Sequence, residues 1–490
     1  FETIRQVASE HRRFPAVREL ETDYLVIGAG AAGMAVTDTL IAHSDADVVL
    51  VDRRHRPGGH WHDAYPFVRL HQPSAYYGVE SQPLGHDRID EHGPNAGFYE
   101  RASSAEICDY YARVLEETLL PTDRVRFLGL NDYRGDGRVV SLLDGTQTTV
   151  KVRQRVVDAT YVQAEIPSRH TPGFTVAPGV TMIPPNALVE IAEAPDRFTV
   201  IGAGKTAIDT CVWLLEEGVD PDRIRWVRGR DPWEFNRMFT QPLDLVGSYM
   251  QLQACWVEAA AAASDGFDFA HRLEDAGIFL RLDPDVEPLA FRGATVSVGE
   301  IGLVRTIEDV VRARRVQRIG RTSVSTDVGD IAAGPNDLYV DCTAAGVPPA
   351  AARPVFEGSR ITIQFVSVGF LPWSAATIGF VEATALSEEE KNRLCPPVVF
   401  SGDVAKLPEL AYAAMLGQVA RARHELVCPW NAASRLNPAS VLREHIAEPG
   451  VADSLRSASE HTRAALENLQ AISAASGARI TDASRRSESK

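Results

Sequence analysis

The chain has 490 residues, which is more than one compact core usually holds and suits two or three domains. Apolar residues make up 45% and charged residues 24%, which excludes a disordered chain, a collagen-like repeat and a coiled coil. The formal net charge of −16 argues against a general nucleic-acid-binding protein, because such a protein needs a basic surface, but it allows a local basic pocket for one phosphate group.

The sequence contains no recognisable targeting or membrane segment. Its first 23 residues mix arginines with acids and hold no apolar stretch of the signal-peptide type. Nowhere does the sequence carry the roughly 18 consecutive apolar residues that span a bilayer. We therefore expect a cytoplasmic protein with no membrane or nucleic-acid partner, and we leave its oligomeric state open.

A first dinucleotide-binding motif follows the amino-terminal segment. An apolar run at residues 24–27 predicts a buried strand, and it leads into a G-x-G-x-x-G sequence formed by Gly28, Gly30 and Gly33. Such glycines permit a tight turn, a close approach to a pyrophosphate and close packing of helix on strand. The next apolar strand ends in Asp52, which can accept hydrogen bonds from an adenosine ribose. The alternative is a glycine-rich turn that binds no ligand.

A second copy of the motif begins 174 residues after the first. The run at residues 198–201 predicts a strand, and a helix-like segment and a further strand at residues 224–227 complete the unit. Alanine occupies the third glycine position. The predicted nucleotide-binding residues of this turn are Gly202, Gly204, Lys205, Thr206 and Ala207.

Arginines, rather than an acid, follow the second strand of this unit. Arg228 and Arg230 can bind a 2′-phosphate, which an acidic side chain would repel. The second site is therefore predicted to prefer NADPH over NADH. The alternative is a solvated strand end, and the nearby Asp231 weakens the preference.

The order of the strands suggests that one domain is inserted into the other. A run ending in Asp158 precedes the second motif, and a similar run at residues 338–340, ending in Asp341, follows it. We interpret these as strands that leave the first domain and return to it. The predicted fold is α/β, with two Rossmann-like dinucleotide-binding domains, the second inserted into the first, and a helical carboxyl-terminal region. The predicted limits are 1–165 with 335–450, 166–334 with a helical insertion at 251–275, and a helix from 451 with a flexible tail from 473 to 490.

A Gly-Gly-x-Trp sequence follows Asp52 within ten residues. Together with the two motifs, Gly58-Gly59-His60-Trp61 resembles the class B flavin-dependent monooxygenases, which bind FAD at the first site and a nicotinamide nucleotide at the second. The resemblance implies that Gly59 and Trp61 lie against the flavin, and it places Arg53 and His60 in the same cofactor-binding stretch. It assigns no subclass.

Candidate catalytic residues lie in two segments of this chain that correspond to functional segments of the resembling enzymes. The loop at residues 65–74 passes over the flavin there, so Gln72 is expected near the reactive carbon and His71 as an acid or base. Arg237, after the second nucleotide strand, is a candidate ligand for a substrate carboxylate or for the nicotinamide phosphates. The alternatives are a structural loop for the first pair and a surface arginine for the last.

Two further features of the sequence have competing interpretations. The predicted strand at residues 398–400 leads into Gly402 and Asp403, and the resembling flavoproteins use such an aspartate for the flavin ribityl hydroxyls. The alternative is a loop aspartate that caps the next helix. His60 and His62 would share one face of a strand, but no third ligand accompanies them, so we expect no metal.

The functional hypothesis is an FAD-dependent, NADPH-consuming monooxygenase that inserts one oxygen atom from O2 into a small organic molecule through a flavin C4a-(hydro)peroxide. A flavin dehydrogenase that passes electrons to another acceptor, and a non-enzymatic flavin sensor, remain alternatives. A disulfide reductase is disfavoured because no two cysteines lie close in the sequence. The cysteines are Cys108, Cys211, Cys255, Cys342, Cys395 and Cys428.

Overall fold

The computed structural model describes residues 18–347 and 350–487. Most of the amino-terminal segment discussed above, residues 1–17, lies outside the described residues, as do the last three residues of the predicted tail. The strands are, in chain order, β1 Arg18–Ile27, β2 Val48–Val51, β3 Val125–Leu128, β4 Asn131–Tyr133, β5 Arg138–Ser141, β6 Gln147–Asp158, β7 Thr175–Val176, β8 Thr181–Ile183, β9 Arg197–Ile201, β10 Ile224–Val227, β11 Pro232–Asn236, β12 Phe279–Leu280, β13 Ala290–Val296, β14 Val310–Val311, β15 Val316–Ile319, β16 Ser323–Thr326, β17 Gly329–Ala332, β18 Asp337–Asp341, β19 Phe356–Glu357 and β20 Arg360–Thr362.

Helices connect and cover these strands. They are, in chain order, α1 Ala31–His43, α2 Ser104–Arg113, α3 Lys205–Glu216, α4 Val246–Ala262, α5 Gly266–Asp275, α6 Val298–Val304, α7 Leu371–Ala383, α8 Glu388–Leu394, α9 Leu407–Arg423, α10 Val427–Ala433, α11 Leu442–His445 and α12 Pro449–Ser487.

The first sheet has eight strands and a mostly parallel core in the order β19-β20-β6-β1-β2-β3. Tyr24 of β1 lies opposite Val48 of β2, and Ile27 lies opposite Asp158 of β6. β2 consists of four buried Val and Leu residues, the composition of a strand that is covered on both faces. α1 packs against α7 over this sheet.

The second sheet is entirely parallel, in the order β14-β10-β9-β18-β8. All five strands come from the part of the chain between β6 and β20, which both belong to the first sheet. The second Rossmann-like unit is therefore inserted into the first, and the predicted fold class is confirmed. The exact domain limits stay a prediction.

One strand lies in a different sheet from the one we expected. The run at residues 338–340 belongs to β18, which pairs with β9 and β8 of the second sheet. The interpretation of this run as the return to the first domain is therefore wrong. The chain re-enters the first sheet at β20, where Ile361 pairs with Val157.

A helical layer with an aromatic core completes the molecule. α4 and α5 cover residues 246–275, so the predicted helical insertion is helical, and they pack around the small sheet β12-β11-β13. The carboxyl-terminal helix α12 packs along α4 and α9. It continues to Ser487 and so extends past residue 473, where the flexible tail was predicted to begin. Among the helices that the structure describes, none is long and apolar enough to cross a membrane.

Candidate functional site

The first glycine turn joins β1 to α1 at the carboxyl edge of the first sheet. Gly28 has a φ of +96°, a left-handed conformation that favours glycine. A Cβ added at Gly33 would collide with the carbonyl oxygen of Gly28, so only glycine allows this close packing of helix on strand. At the end of β2, the carboxylate of Asp52 accepts hydrogen bonds from the amides of Ala29 (2.6 Å) and Arg54 (2.7 Å). Asp52 therefore stabilises the glycine turn, and it lies at the position where the sequence predicts a ligand for the ribose.

Each sheet carries a D-x-T sequence at the end of the strand beside its glycine turn. After β6, the carboxylate of Asp158 accepts hydrogen bonds from the amide and the hydroxyl of Thr160. After β18, Asp341 makes the same two bonds with Thr343. A Cβ added at Gly28 would lie 2.8 Å from Cγ2 of Thr160, so this loop supports the first turn. The two units thus share the same local hydrogen-bonding arrangement.

The second glycine turn joins β9 to α3. Gly202 has a φ of +136°, and a Cβ there would collide with the carbonyl oxygen of Cys342. Around Gly204, no described atom lies within 4 Å of an added Cβ. Lys205 is buried, and its ammonium group pairs with Asp209 one turn later in α3. The turn therefore leaves open space over its second glycine and keeps its lysine inside the protein.

Both turns present the start of a helix without a side-chain cap. Gly30 is the N-cap of α1 and Gly204 the N-cap of α3, and neither helix has a capping side chain. The first N–H groups of such helices have no partner within the helix and favour an anion. Thr206 lies in the first turn of α3, and Ala207, which is fully buried, takes the third glycine position. The arrangement fits two dinucleotide pyrophosphates.

The open space over Gly204 leads to a prediction. The variant Gly204→Ala is expected to keep the melting temperature of the wild type, because its methyl group meets no protein atom. NADPH affinity is expected to fall by about tenfold, since the methyl group occupies the space that a phosphate needs. Calorimetric titration with NADPH checks this, with Gly173→Ala as the control because that position is equally open. Unchanged affinity for NADPH would contradict the assignment of this turn.

The Gly-Gly-x-Trp segment lies against the first glycine turn. Gly58 and Gly59 both have positive φ angles, +123° and +59°. A Cβ added at Gly59 would lie 2.8 Å from Cα of Gly30, so the two backbones are in contact. Trp61 is half-buried, and its indole N–H donates to the hydroxyl of Tyr77 (2.8 Å). The segment is thus held beside the turn, and its contact with a flavin stays a prediction.

Three basic residues in and beside this segment are exposed, namely Arg53, His60 and His62. Within the part of the chain that the structure describes, the side chain of Arg53 makes one long ion pair, with Asp132 (3.7 Å). His60 and His62 lie in the short 3-10 helix Gly59–Asp63, not on the strand that we considered. Within residues 18–347 and 350–487, no three His, Cys, Asp or Glu side chains lie close enough together to hold a metal ion.

The two arginines after β10 have different environments. Arg228 is buried, pairs with Asp231 (3.5 Å) and stacks its guanidinium over the ring of Trp226 (4.3 Å). Asp231 also accepts a hydrogen bond from Arg312 (2.7 Å). Arg230 is exposed, and no ion pair forms between it and any residue that the structure describes. Arg230 is therefore the better candidate for the 2′-phosphate, while Arg228 supports the strand end.

The sequence analysis missed a second basic segment beside these arginines. β14 pairs with β10, and Arg312, Arg314 and Arg315 follow it. Gly229 approaches the backbone of Arg314 so closely that a Cβ there would collide with it. Arg314 and Arg315 are exposed. The R-x-R-R run was visible in the sequence, but its place beside β10 depends on the pairing of two strands that lie far apart in the chain.

A cavity of about 130 Å³ lies where three parts of the chain meet. His71 and Gln72, from the loop after the Gly-Gly-x-Trp segment, line one side. Phe235 and Thr295, from the small sheet, line another, and Met415 of α9 lines a third. The structure therefore brings the two predicted loop residues together at one cavity.

The His71 ring is neutral at pH 7. Burial, together with the positive charges of Lys205 and Arg237, lowers the pKa of His71 to about 4, against an opposing effect of Asp209. A ring with this pKa carries no proton to donate near neutral pH. Of the roles considered for His71, that of an acid is the one that this environment disfavours.

Arg237 does not line the cavity. It is 0% exposed, and its guanidinium donates to the carboxylate of Glu300 (2.7 Å) and to the carbonyl oxygen of Thr295 (3.3 Å). Longer bonds reach the carbonyl oxygen of His71 and the side chain of Asn95, both 3.4 Å away. The structure places Arg237 in a buried ion pair with Glu300, and its bonds to His71 and Asn95 connect this pair to the first domain, so it does not face a substrate carboxylate.

Glu300 is the partner that the sequence analysis missed. Burial alone would raise the pKa of Glu300, but Lys205, Arg237 and Arg101 lower it to about 2. Glu300 also forms a capping box with Ser297 at the start of α6. The S-x-x-E pattern predicts this cap, whereas the pairing with an arginine 63 residues earlier has no local pattern.

Asp403 acts as a cap in this structure. Residues 398–400 do not form the predicted strand. Gly402 has a φ of +77°, and the side chain of Asp403 accepts from the amide of Ala405 (3.0 Å) at the start of the 3-10 helix Val404–Lys406. This geometry matches the capping alternative, and a contact with the flavin ribityl chain stays a prediction.

Glu234 is a buried carboxyl group that the sequence did not single out. It lies on β11, it is 0% exposed, and neither of its side-chain oxygens has a hydrogen-bond partner among the described residues. Burial raises the pKa of Glu234 to about 8, although Lys205 lowers it. The group is therefore largely protonated in the folded protein at pH 7 and ionised in the unfolded chain.

This difference predicts a pH-dependent stability. Between about pH 4.5 and pH 8 unfolding releases the Glu234 proton, so the free energy of unfolding falls as the pH rises, and above pH 8 this contribution is constant. The variant Glu234→Gln lacks this ionisable group and therefore its pH-dependent contribution to stability. Its melting temperature relative to wild type is expected to increase from pH 5 to pH 8 by a few degrees. A difference that stays constant over this range, as expected for the exposed control Glu389→Gln, would contradict the assignment.

All six cysteines are free thiols. Burial raises the pKa of Cys342 and of Cys395 to about 12. A reactive thiol needs a lowered pKa, so these two are inert. The cysteines thus give no support to a disulfide reductase.

Comparisons with known proteins agree with the first nucleotide unit. Residues 26–79 match the family described as NAD(P)-binding Rossmann-like domain. Two curated relatives, "Uncharacterized protein Rv2000" of Mycobacterium tuberculosis and "Uncharacterized protein Mb2023" of Mycobacterium bovis, are 47% identical to this chain over 382 residues. The alignment covers 78% of this chain and 71% of each relative.

Among solved structures, a mutant flavin monooxygenase from Stenotrophomonas maltophilia has a TM-score of 0.46 at 15% identity, covering 77% of this chain and 99% of that one. Cyclohexanone monooxygenase from Rhodococcus sp. Phi1 bound to NADP+ has a TM-score of 0.45 at 15% identity, covering 90% and 99%. These proteins carry names from the class that the sequence motifs resemble. Their likeness is distant, and we base the function on the residues of this chain.

Proposed function

We propose that this chain, which belongs to the family of the mycobacterial proteins Rv2000 and Mb2023, is an FAD-dependent, NADPH-consuming monooxygenase that inserts one oxygen atom from O2 into a small organic substrate. The observation that carries the proposal is the presence of two uncapped glycine turns on two separate sheets, together with an aromatic-walled cavity. One dinucleotide fold serves a simple dehydrogenase, whereas two allow one bound nucleotide to reduce another.

The first turn holds FAD in this proposal. The amides at the start of α1 bind its pyrophosphate, and Asp52 accepts a ribose hydroxyl while keeping its bonds to the turn. Gly59 and Trp61 border the same turn. Bound flavin supplies the electron transfer from the nicotinamide to O2, which no side chain of this protein provides.

The residues at the cavity position the substrate and exclude water. The amide of Gln72 makes no hydrogen bond within the described residues, so it offers a donor and an acceptor to a bound molecule. Aromatic side chains form much of the remaining wall, among them Phe235 and Phe370. A dry wall of this kind keeps water away from the site of oxygen transfer.

NADPH reduction of the protein under nitrogen tests the proposal. The full chain is expected to be purified with a yellow cofactor, which NADPH bleaches in the absence of O2. In air, adding a substrate is expected to increase NADPH oxidation without a matching increase in hydrogen peroxide. A protein that retains no flavin would refute the proposal, and equal yields of peroxide and oxidised NADPH with every substrate would favour a dehydrogenase or oxidase.

The exposed Arg230 gives the nucleotide preference a test of its own. Removing its guanidinium in Arg230→Ala is expected to raise the KM for NADPH by about tenfold, because one charge-assisted hydrogen bond to the 2′-phosphate is lost. The KM for NADH, which lacks this phosphate, is expected to stay the same. The variant Arg443→Ala, at an exposed arginine of α11, serves as the control. Equal changes for the two nucleotides would contradict the assignment.

A further inference from the structure

The cavity wall is aromatic and almost uncharged. Five aromatic side chains contribute to it, and no Asp or Glu belongs to the described residues that line it. The aromatic residues are Phe235, Tyr249, Trp256, Phe370 and Trp373. An ammonium group that enters this wall loses its hydration, meets no carboxylate and lies near the positive charge of Arg421, so it finds no ionic partner there.

The single positively charged side chain on the described wall is already engaged. Arg421 is buried, and its guanidinium donates to the carbonyl oxygens of Leu394 (2.9 Å) and Val366 (3.2 Å) and to the hydroxyl of Ser367 (3.2 Å). These bonds occupy three of the five guanidinium N–H groups and hold the side chain in place in the wall. With this positive charge and no carboxylate in the wall, the cavity suits a neutral hydrogen-bond acceptor better than a cation.

The size of the cavity limits that molecule. Its volume is about 130 Å³. An apolar protein cavity of roughly 150 Å³ accommodates benzene. On the rim, the amide of Gln418 on α9 donates to that of Gln253 on α4 (3.3 Å), so the two helices are linked across the cavity wall. The cavity therefore accommodates one ring with a small substituent.

Two hydroxyl groups on this wall, those of Tyr249 and Thr295, have no hydrogen-bond partner among the described residues. Tyr249 of α4 is 6% exposed, and its hydroxyl makes no hydrogen bond with a described residue. Tyr76, which is also buried, donates to the carbonyl oxygen of Thr240 (2.9 Å). Buried tyrosine hydroxyls usually have such an acceptor. Burial is the cause that raises the pKa of Tyr249 far above its usual value, so its O–H is a neutral donor.

We propose that Tyr249 determines substrate specificity by donating a hydrogen bond to a neutral acceptor, such as a carbonyl oxygen, on an uncharged single-ring molecule in this cavity. The proposal rests on the proposed function for the identity of this molecule as the substrate. It excludes amines that are protonated at neutral pH. Tyr249 was not among the residues that the sequence analysis singled out. In this proposal the hydrogen-bond acceptor of the ligand, rather than its ring, determines which molecules bind tightly.

Three compounds with nearly the same skeleton test the proposal on the full chain by calorimetric titration at pH 7. Acetophenone has a carbonyl acceptor, ethylbenzene has none, and 1-phenylethylamine is a cation. Acetophenone is expected to bind about fivefold more tightly than ethylbenzene, the effect of one hydrogen bond, and the amine is expected not to bind. Binding of the amine as tight as that of acetophenone would overturn the proposal.

The variant Tyr249→Phe isolates the hydroxyl group. Its affinity for acetophenone is expected to fall about fivefold, while its affinity for ethylbenzene stays the same and shows that the cavity is intact. The control Tyr412→Phe removes the hydroxyl of a tyrosine on α9 that is not part of the cavity wall, and both affinities are expected to remain. Equal losses for the two compounds, or no loss for acetophenone, would overturn the proposal.

A cavity-filling variant shows where the compounds bind. Ala414 lines the cavity, and Ala414→Leu is expected to lower the affinity for both acetophenone and ethylbenzene by tenfold or more. Unchanged binding of both would place the compounds elsewhere and overturn the proposal. These titrations use neither NADPH nor turnover. Loss of oxygenation in the parallel assay therefore refutes the proposed function, whereas loss of Tyr249-dependent binding refutes this inference.

Discussion

The variant Gly33→Ala is expected to lose its flavin and to unfold at a distinctly lower temperature than the wild type. A Cβ at this position collides with the carbonyl oxygen of Gly28, and backbone atoms, unlike a flexible side chain, have little freedom to move away. We expect a destabilisation of about 3 kcal/mol or more in the first unit, because α1 has to separate from β1. Thermal unfolding and the ratio of flavin absorbance to protein absorbance measure the two effects.

A matched glycine variant separates this collision from a general effect of alanine. No described atom lies within 4 Å of a Cβ added at Gly302, and this glycine lies in α6 with a negative φ. Gly302→Ala is therefore expected to melt at the wild-type temperature or slightly above it, since alanine favours a helix. Normal stability and flavin content in Gly33→Ala would show that the first turn does not have the close packing described above.

The variant Arg237→Met is expected to destabilise the protein by about 3–5 kcal/mol, the second large effect. Its guanidinium is 0% exposed, and its removal leaves the buried carboxylate of Glu300 with the amide of Ser297 (2.7 Å) and the longer ion pair to Arg101 (3.5 Å). Chemical denaturation monitored by tryptophan fluorescence measures the loss. The same change at an exposed ion pair, Arg113→Met, is expected to cost well under 1 kcal/mol, because Arg113 is half exposed where it pairs with Asp109.

The double variant of Arg237 and its partner strengthens this test. Adding Glu300→Gln to Arg237→Met removes the unpaired charge, so part of the lost stability is expected to return. If Arg237 instead served as a substrate ligand, Arg237→Met would fold with wild-type stability and change only the KM. That outcome would contradict the structural role that we assign to it.

The sequence predicted the parts of the molecule that local patterns encode. The glycine turns at Gly28 and Gly202, and the acid at Asp52, follow from short motifs whose physics is local. The insertion of one unit into the other follows from the order of the motifs along the chain. The helix α12 follows from apolar spacing, which predicts its existence better than its end.

Strand membership and side-chain partners depended on tertiary contacts. The D-x-T sequences at Asp158 and Asp341 are alike, but they belong to different sheets, because each packs beside its own glycine turn. The pairing of Arg237 with Glu300 joins residues that no periodicity connects. Burial, which no motif reports, distinguishes Arg228 from Arg230 and leaves the Tyr249 hydroxyl without a partner.

Isotopic labelling of oxygen tests the central claim most directly. The full chain is supplied with NADPH and oxygen-18 gas and with a panel of neutral single-ring ketones and sulfides, and the products are analysed by mass spectrometry. A monooxygenase transfers one atom of O2 to the substrate and releases the other as water, while NADPH and a proton supply the electrons and hydrogen. At least one product is expected to carry one oxygen-18 atom for each NADPH consumed. If NADPH is oxidised with all of its electrons recovered in hydrogen peroxide or another acceptor, and no product carries the label, the protein is not a monooxygenase.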